Sequence, residues 1–127
     1  MNNKENVINV IKYFGDILAK HLYVAEETIV VVLHQKNGYY PSGLSIRLDM
    51  INQIEVVNNA ATAQINRYIE NIEYVELGIW KEDMLNNIFV IYFIEIGYFI
   101  KGLNKQYAYD VFPPKEELNN HFQRMGN

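Results

Sequence analysis

Apolar residues in the first segment recur at three- and four-residue spacing. Val7, Val10, Ile11, Phe14, Ile17, Leu18 and Leu22 share one side of a 3.6-residue turn, while Asn9, Lys12, Asp16 and Lys20 fall mainly on the other. The spacing predicts an amphipathic helix over Lys4–Leu22, capped by Asn2 with Glu5 three residues on. The period then changes. Thr28–His34 is β-branched and apolar on both alternating faces, which predicts a strand covered on both sides. Gln35-Lys36-Asn37-Gly38 supplies a turn, and Tyr39 to Gly43 lengthen it. Leu44–Met50 alternates, with Leu44, Ile46, Leu48 and Met50 opposite Ser45, Arg47 and Asp49, so it reads as a half-exposed strand closing a hairpin.

From Ile51 to Ile72 the period is mostly helical again. Asn58-Asn59 offers a break, leaving two readings of 51–59. Either the helix runs through, or Gln53–Val57 is a strand and Asn59 caps a shorter helix covering at least Ala60–Ile72. Tyr74–Trp80 alternates as a strand, and Lys81–Asn87 reads as a connection. Ile88–Lys101 reads as one long strand, rich in β-branched and aromatic residues, with Gly97 as a possible bulge. After a turn at Gly102–Lys105, Gln106–Phe112 runs back as a last strand. Pro113-Pro114 ends it, and a short helix follows with Leu118, Phe122 and Met125 inward, Glu116 and Glu117 at its start and Arg124 at its end. The predicted order is α-β-β-α-β-β-β-α: a single α+β domain over 1–127, with a mostly antiparallel sheet of about five strands and three helices.

Composition narrows the function classes. Half of the 127 residues are hydrophobic, enough for a core without staples. There is no cysteine, which removes disulfides, thiolate metal sites and thiol nucleophiles. Polar residues interrupt every apolar run of the N-terminal segment, so no secretory signal is expected. The longest apolar run, Ile88–Ile100, is too short to span a bilayer as a helix. A cytoplasmic protein is the expectation. The net charge is −4 and the eleven basic residues are scattered, which argues against nucleic acid as a partner. Heavy use of Asn and Ile with few Arg points to an AT-rich genome, bacterial or phage.

Candidate chemistry is thin. No phosphate loop, nucleophile elbow or metalloprotease motif is present. His34 ends an apolar strand, where a neighbour or water would satisfy its ring. His121 follows Glu117 by four residues, the spacing of a surface pair. His21 closes the first helix, where a positive charge is mildly favoured. Glu95 interrupts the longest apolar run. Burial there would raise its pKa and suit it to general-base work, whereas a place at the core edge would leave it a paired surface carboxylate. The ten tyrosines are the stronger signal, since Tyr joins apolar area to a polar tip and favours interfaces. Tyr39, Tyr40, Trp80, Tyr107 and Tyr109 are the candidate binding residues. Glu95 and His34 are the catalytic candidates, and no metal or cofactor is expected.

These features predict a small acidic non-enzymatic interaction protein (an inhibitor, immunity, adaptor or assembly factor) that binds a protein partner and self-associates. The alternative is a small-molecule-binding domain or minor enzyme with a Tyr-lined pocket containing Glu95. A flat aromatic patch favours the first and a closed pocket holding Glu95 the second.

Overall fold

A computed structural model of the chain describes residues 4–36, 43–54, 59–94 and 97–102. Helix α1 spans Lys4–Leu22 as its periodicity requires, and buries Val7, Val10, Ile11, Phe14 and Leu18. It ends in a Schellman closure. The Val24 N–H donates to the Ala19 carbonyl at 3.0 Å and the Tyr23 N–H to that of Lys20 at 3.3 Å. This geometry puts Tyr23 at φ 55, in a position glycine usually takes.

A 3₁₀ turn at Glu26–Thr28 leads into β1 (Ile29–Gln35). β2 (Leu44–Arg47) follows, then α2 (Leu48–Asn52), α3 (Ala60–Glu70), β3 (Ile72–Lys81), β4 (Met84–Ile94) and β5 (Gly97–Gly102). The five strands form one antiparallel sheet in the order β2-β1-β3-β4-β5, so the chain has the α+β architecture its pattern predicts. The predicted last strand, Gln106–Phe112, and last helix lie outside the described residues, as does the Asn2 cap.

Three stretches differ from the sequence expectation. The strand from Leu44 stops at Arg47, because Leu48, Ile51 and Ile54 are three apart and bury together on a helical turn. That turn packs against α1, where a Cβ on Gly15 would stand 2.5 Å from Leu48 Cδ1. More consequentially, Ile88–Lys101 is not one strand. The chain reverses between Ile94 and Gly97, which pair with each other, and β5 runs back along β4. Gly97, at φ 151, begins β5 rather than bulging a continuous strand. β4 begins earlier than predicted, because the Lys81–Asn87 connection is mostly strand around a two-residue turn at Glu82-Asp83.

The helix of the second half begins at Ala60, as the shorter alternative has it, but it ends at Glu70 and not Ile72, which already opens β3 as a buried core residue. Asn59 Oδ1 accepts from the Thr62 N–H at 3.1 Å, and Thr62 Oγ1 accepts from the Asn59 N–H at 3.0 Å, a reciprocal capping box.

The core lies between the helices and one face of the sheet. Ile29, Val31 and Leu33 of β1, Val75 and Leu77 of β3, Phe89 and Ile91 of β4 and Tyr98 of β5 are all fully buried there. Phe14 sits edge-on to Phe89 and Tyr98, with ring centroids 6.0 and 5.7 Å away, and so ties α1 to the far strands. Each such ring contributes roughly 1.5–3 kcal/mol through burial alone.

Candidate functional site

The other face of the sheet carries none of the described helices, and its residues follow the alternate positions of each strand. Register aligns His34 with Tyr74, Tyr74 with Tyr92, and Tyr92 with Phe99. Side chains directly opposite on neighbouring strands stand close enough for ring contact. His34 stacks on Tyr74 at 4.1 Å with planes 13° apart, Tyr74 lies 5.3 Å from Tyr92 at 33°, and Tyr92 stacks on Phe99 at 4.9 Å and 14°. The result is a row of four rings crossing β1, β3, β4 and β5. Its β1 end is enclosed, with His34 only 6% exposed, while its β5 end stands open, with Phe99 48% exposed.

One polar cluster fixes this row. Glu76 lies two residues along β3 from Tyr74, on the same face. Its Oε1 accepts from His34 Nε2 at 2.6 Å and its Oε2 from Asn87 Nδ2 at 2.6 Å. The carboxylate is acceptor-only, so His34 carries a proton on Nε2. Asn87 reaches Glu76 because of a β-bulge. Leu77 pairs with Phe89 but Gly78 pairs with Asn87, leaving Ile88 as the extra residue. The bulge turns Asn87 to the outer face and Ile88 into the core, where it is fully buried. Gly78 makes this possible, since a Cβ there would collide with the Asn86 carbonyl oxygen. Gly43, at φ +73, closes over the other end. A Cβ on it would meet the Leu33 carbonyl at 2.6 Å and His34 Cε1 at 2.9 Å.

The electrostatics follow from this packing. Burial pushes the Tyr74 hydroxyl above its ordinary pKa, and the nearby Glu76, Tyr92 and Glu73 push it the same way. Tyr74 therefore stays neutral through physiological pH. Glu76 has a donor on each oxygen, and the His34 Nε2 proton is already committed to it. The cluster is built to hold rings in place, and its two strongest hydrogen-bonding groups are used on each other.

Of the sequence candidates, the structure places His34 in this cluster and leaves Trp80 56% exposed at the end of β3. It does not bring these two together. Tyr39, Tyr40, Glu95, Tyr107 and Tyr109 lie outside the described residues, as does His121. His21 is exposed. Sequence reasoning did not find Tyr74, Glu76, Asn87 or Phe99 as a group. The available signal was local: Tyr74 and Glu76 are two apart on a strand whose other positions are Val75, Leu77 and Ile79. Tyr92 and Tyr98 both fall within the expected strand Ile88–Lys101, but the reversal separates them. Tyr92 joins the outer row, and Tyr98 is buried in the core.

Among the described residues no group of three or more His, Asp or Glu side chains is placed to hold a metal ion, and no helix is long and apolar enough to cross a membrane. Comparison of the chain with protein-family models, with curated proteins and with solved structures finds no match.

Proposed function

We propose that the protein is a non-enzymatic interaction protein that self-associates through the outer, ring-bearing face of its sheet. The observation that carries this reading is the open end of the ring row. Phe99 stacks on Tyr92 and is half exposed. A half-exposed ring at the end of an ordered row offers apolar area that a second copy can cover.

A second copy suits this face by its side chains. Packing of this face on its own copy sets the Phe99 ring of one chain against that of the other. Two-fold pairing of one patch with itself is the commonest form of assembly. The rings are already stacked on one another, and Glu76 holds His34 at the far end, which lowers the entropy lost on contact.

Sedimentation velocity over a dilution series tests the proposal. The unmodified chain is expected to pass from monomer to dimer in the micromolar range. Phe99→Asp, at an exposed position, should leave the thermal midpoint nearly unchanged and move the transition up by at least about tenfold in concentration. An unmodified chain that stays monomeric to about millimolar overturns the reading.

A further inference from the structure

The middle of the outer face is buried, although no described helix lies over it. Register sets Ser45, Val32, Glu76, Val90 and Lys101 in one row across β2, β1, β3, β4 and β5. His34, Tyr74, Tyr92 and Phe99 each stand two residues along a strand from a member of this row, so the row shares their face. Its ends are open, since Ser45 and Lys101 are exposed. Yet Val32 and Val90 are each only 4% exposed. Neither belongs to the core cluster on the helix side. Neighbours in a sheet wall a valine from the sides and do not close it from above, and Ser45, beside Val32, is the shorter side chain.

This burial is a property of one chain, so the cover comes from within the same chain. Reach decides which stretch supplies it. Residues 1–3 precede α1, and residues 55–58 lead from Ile54 to the Asn59 cap. Both α1 and Ile54 belong to the core on the opposite face. Residues 95–96 only join β4 to β5. Residues 37–42 lie between β1 and β2, and Val90 is two strands beyond β1, roughly 10 Å across the sheet. Val90 is also set back along the strands from that loop, so at about 3.4 Å per residue the loop cannot go there and return. Residues 103–127 start from Gly102, which pairs with Phe89, the residue before Val90. Even at about 1.5 Å per residue this stretch is longer than the roughly 19 Å width of the sheet. Its sequence supplies Leu118, Phe122 and Met125, spaced for one side of a helix.

We infer that residues 103–127 return across the outer face, cover Val32 and Val90, and compete there with a second copy. The competition rests on the self-association reading, whereas the cover does not. The apolar side chains of the segment take the two valines out of water. Phe99, at the end of the ring row, stays half exposed. The segment is then a restraint built into the chain. A second copy that packs on the whole face has to displace it, and apparent affinity falls with the fraction of chains whose face is free.

The chain has no cysteine, so a single introduced thiol can be followed without background. In the full chain, Val90→Cys is expected to react with a soluble disulfide reagent at least about tenfold more slowly than Ser45→Cys, at the exposed end of the same row. Leu118→Asp with Phe122→Asp should speed the reaction of Val90→Cys by about tenfold and leave that of Val31→Cys, in the core, within about twofold. The Val90→Cys rate should be the same on dilution, as a cover from the same chain requires. Equal rates at positions 90 and 45 overturn the inference, as does a Val90→Cys rate that the two aspartates leave unchanged. Equal acceleration of Val31→Cys would make the segment part of core folding and no separate cover, which overturns it too. A rate that rises on dilution would give the cover to a second copy, with the same consequence. Sedimentation of the Leu118→Asp, Phe122→Asp chain reads the competition, and its self-association is expected at about tenfold lower concentration than that of the parent. An unshifted transition overturns the competition and leaves the cover standing. If neither chain associates, the self-association reading fails with the competition, while the thiol rates still decide the cover.

Discussion

The two faces of the sheet are ordered by different means. The helix-covered face is aliphatic and aromatic throughout, and its side chains interlock with α1 and α2 around Phe14. The outer face has no described helix over it, and its residues order one another from strand to strand. Rings stack along one register row, and a carboxylate bonded on both oxygens braces them. On the first face, position is set by exclusion of water and close packing. On the second it is set by directed contacts that leave the β5 end of the row open. The first arrangement makes the fold. The second holds a surface ready without spending the hydrophobic core on it.

The largest test of this contrast compares adjacent residues of β1. Val31 points into the core and is fully buried, whereas Val30 points outward, opposite Arg47 and Gly78. Val31→Asp is expected to cost roughly 3–5 kcal/mol, because it buries a charge with no partner. Val30→Asp should cost only about 1 kcal/mol, mainly through strand preference, with Arg47 across from the new carboxylate. Urea unfolding of both variants measures the gap. Equal losses would mean that the outer face is as dependent on exclusion of water as the inner one.

How far these faces can be read from sequence depends on which contacts define them. The inner face was legible, because Val7, Val10, Ile11, Phe14 and Leu18, or Val75, Leu77 and Ile79, announce it by local period alone. The split of the apolar run into β4 and β5 was harder. A run without alternation gives no sign of where it folds back, and Glu95 and Gly97 mark the place without saying whether they mean a buried base, a bulge or a reversal. The outer row was not legible at all. It requires knowing that His34 pairs with Tyr74 and Tyr92 with Phe99, and that a bulge at Gly78 brings Asn87 to Glu76. Those are relations of register between strands, and no single strand's sequence contains them.

A smaller effect tests whether Glu76 braces the outer face. Glu76→Ala removes the acceptor of both His34 Nε2 and Asn87 Nδ2. Leaving buried donors without partners costs about 1–3 kcal/mol, and the partial exposure of Glu76 puts this site at the lower end, since water can enter. The expected result is a loss of about 1 kcal/mol in urea unfolding, together with weaker near-ultraviolet circular dichroism as the stacked tyrosines loosen. A variant that loses stability yet keeps the full aromatic signal would show that the rings are held by their stacking and not by the carboxylate.

The smallest effect is at alkaline pH and concerns Tyr74 alone. Its hydroxyl is held above the ordinary tyrosine value of 10.0, first by burial and then by the charges of Glu76, Tyr92 and Glu73. Raised folded-state pKa means that the folded chain keeps this proton when the unfolded chain has begun to lose it. By linkage, the stability tied to neutral Tyr74 is fully present below the unfolded value and is lost as pH rises toward and through the raised folded one. Tyr74→Phe removes the ionisable group but keeps the ring and its stack on His34. Measured by urea unfolding from about pH 8 to 11, the variant should therefore lose less stability than the parent on the alkaline side, with the two curves running parallel below it. Glu76→Gln removes the charge that most opposes ionisation, so it should recover part of the same difference. Alkaline limbs that coincide for parent and Tyr74→Phe would place the hydroxyl in solvent, and the outer row would then be open along its length and not only at Phe99.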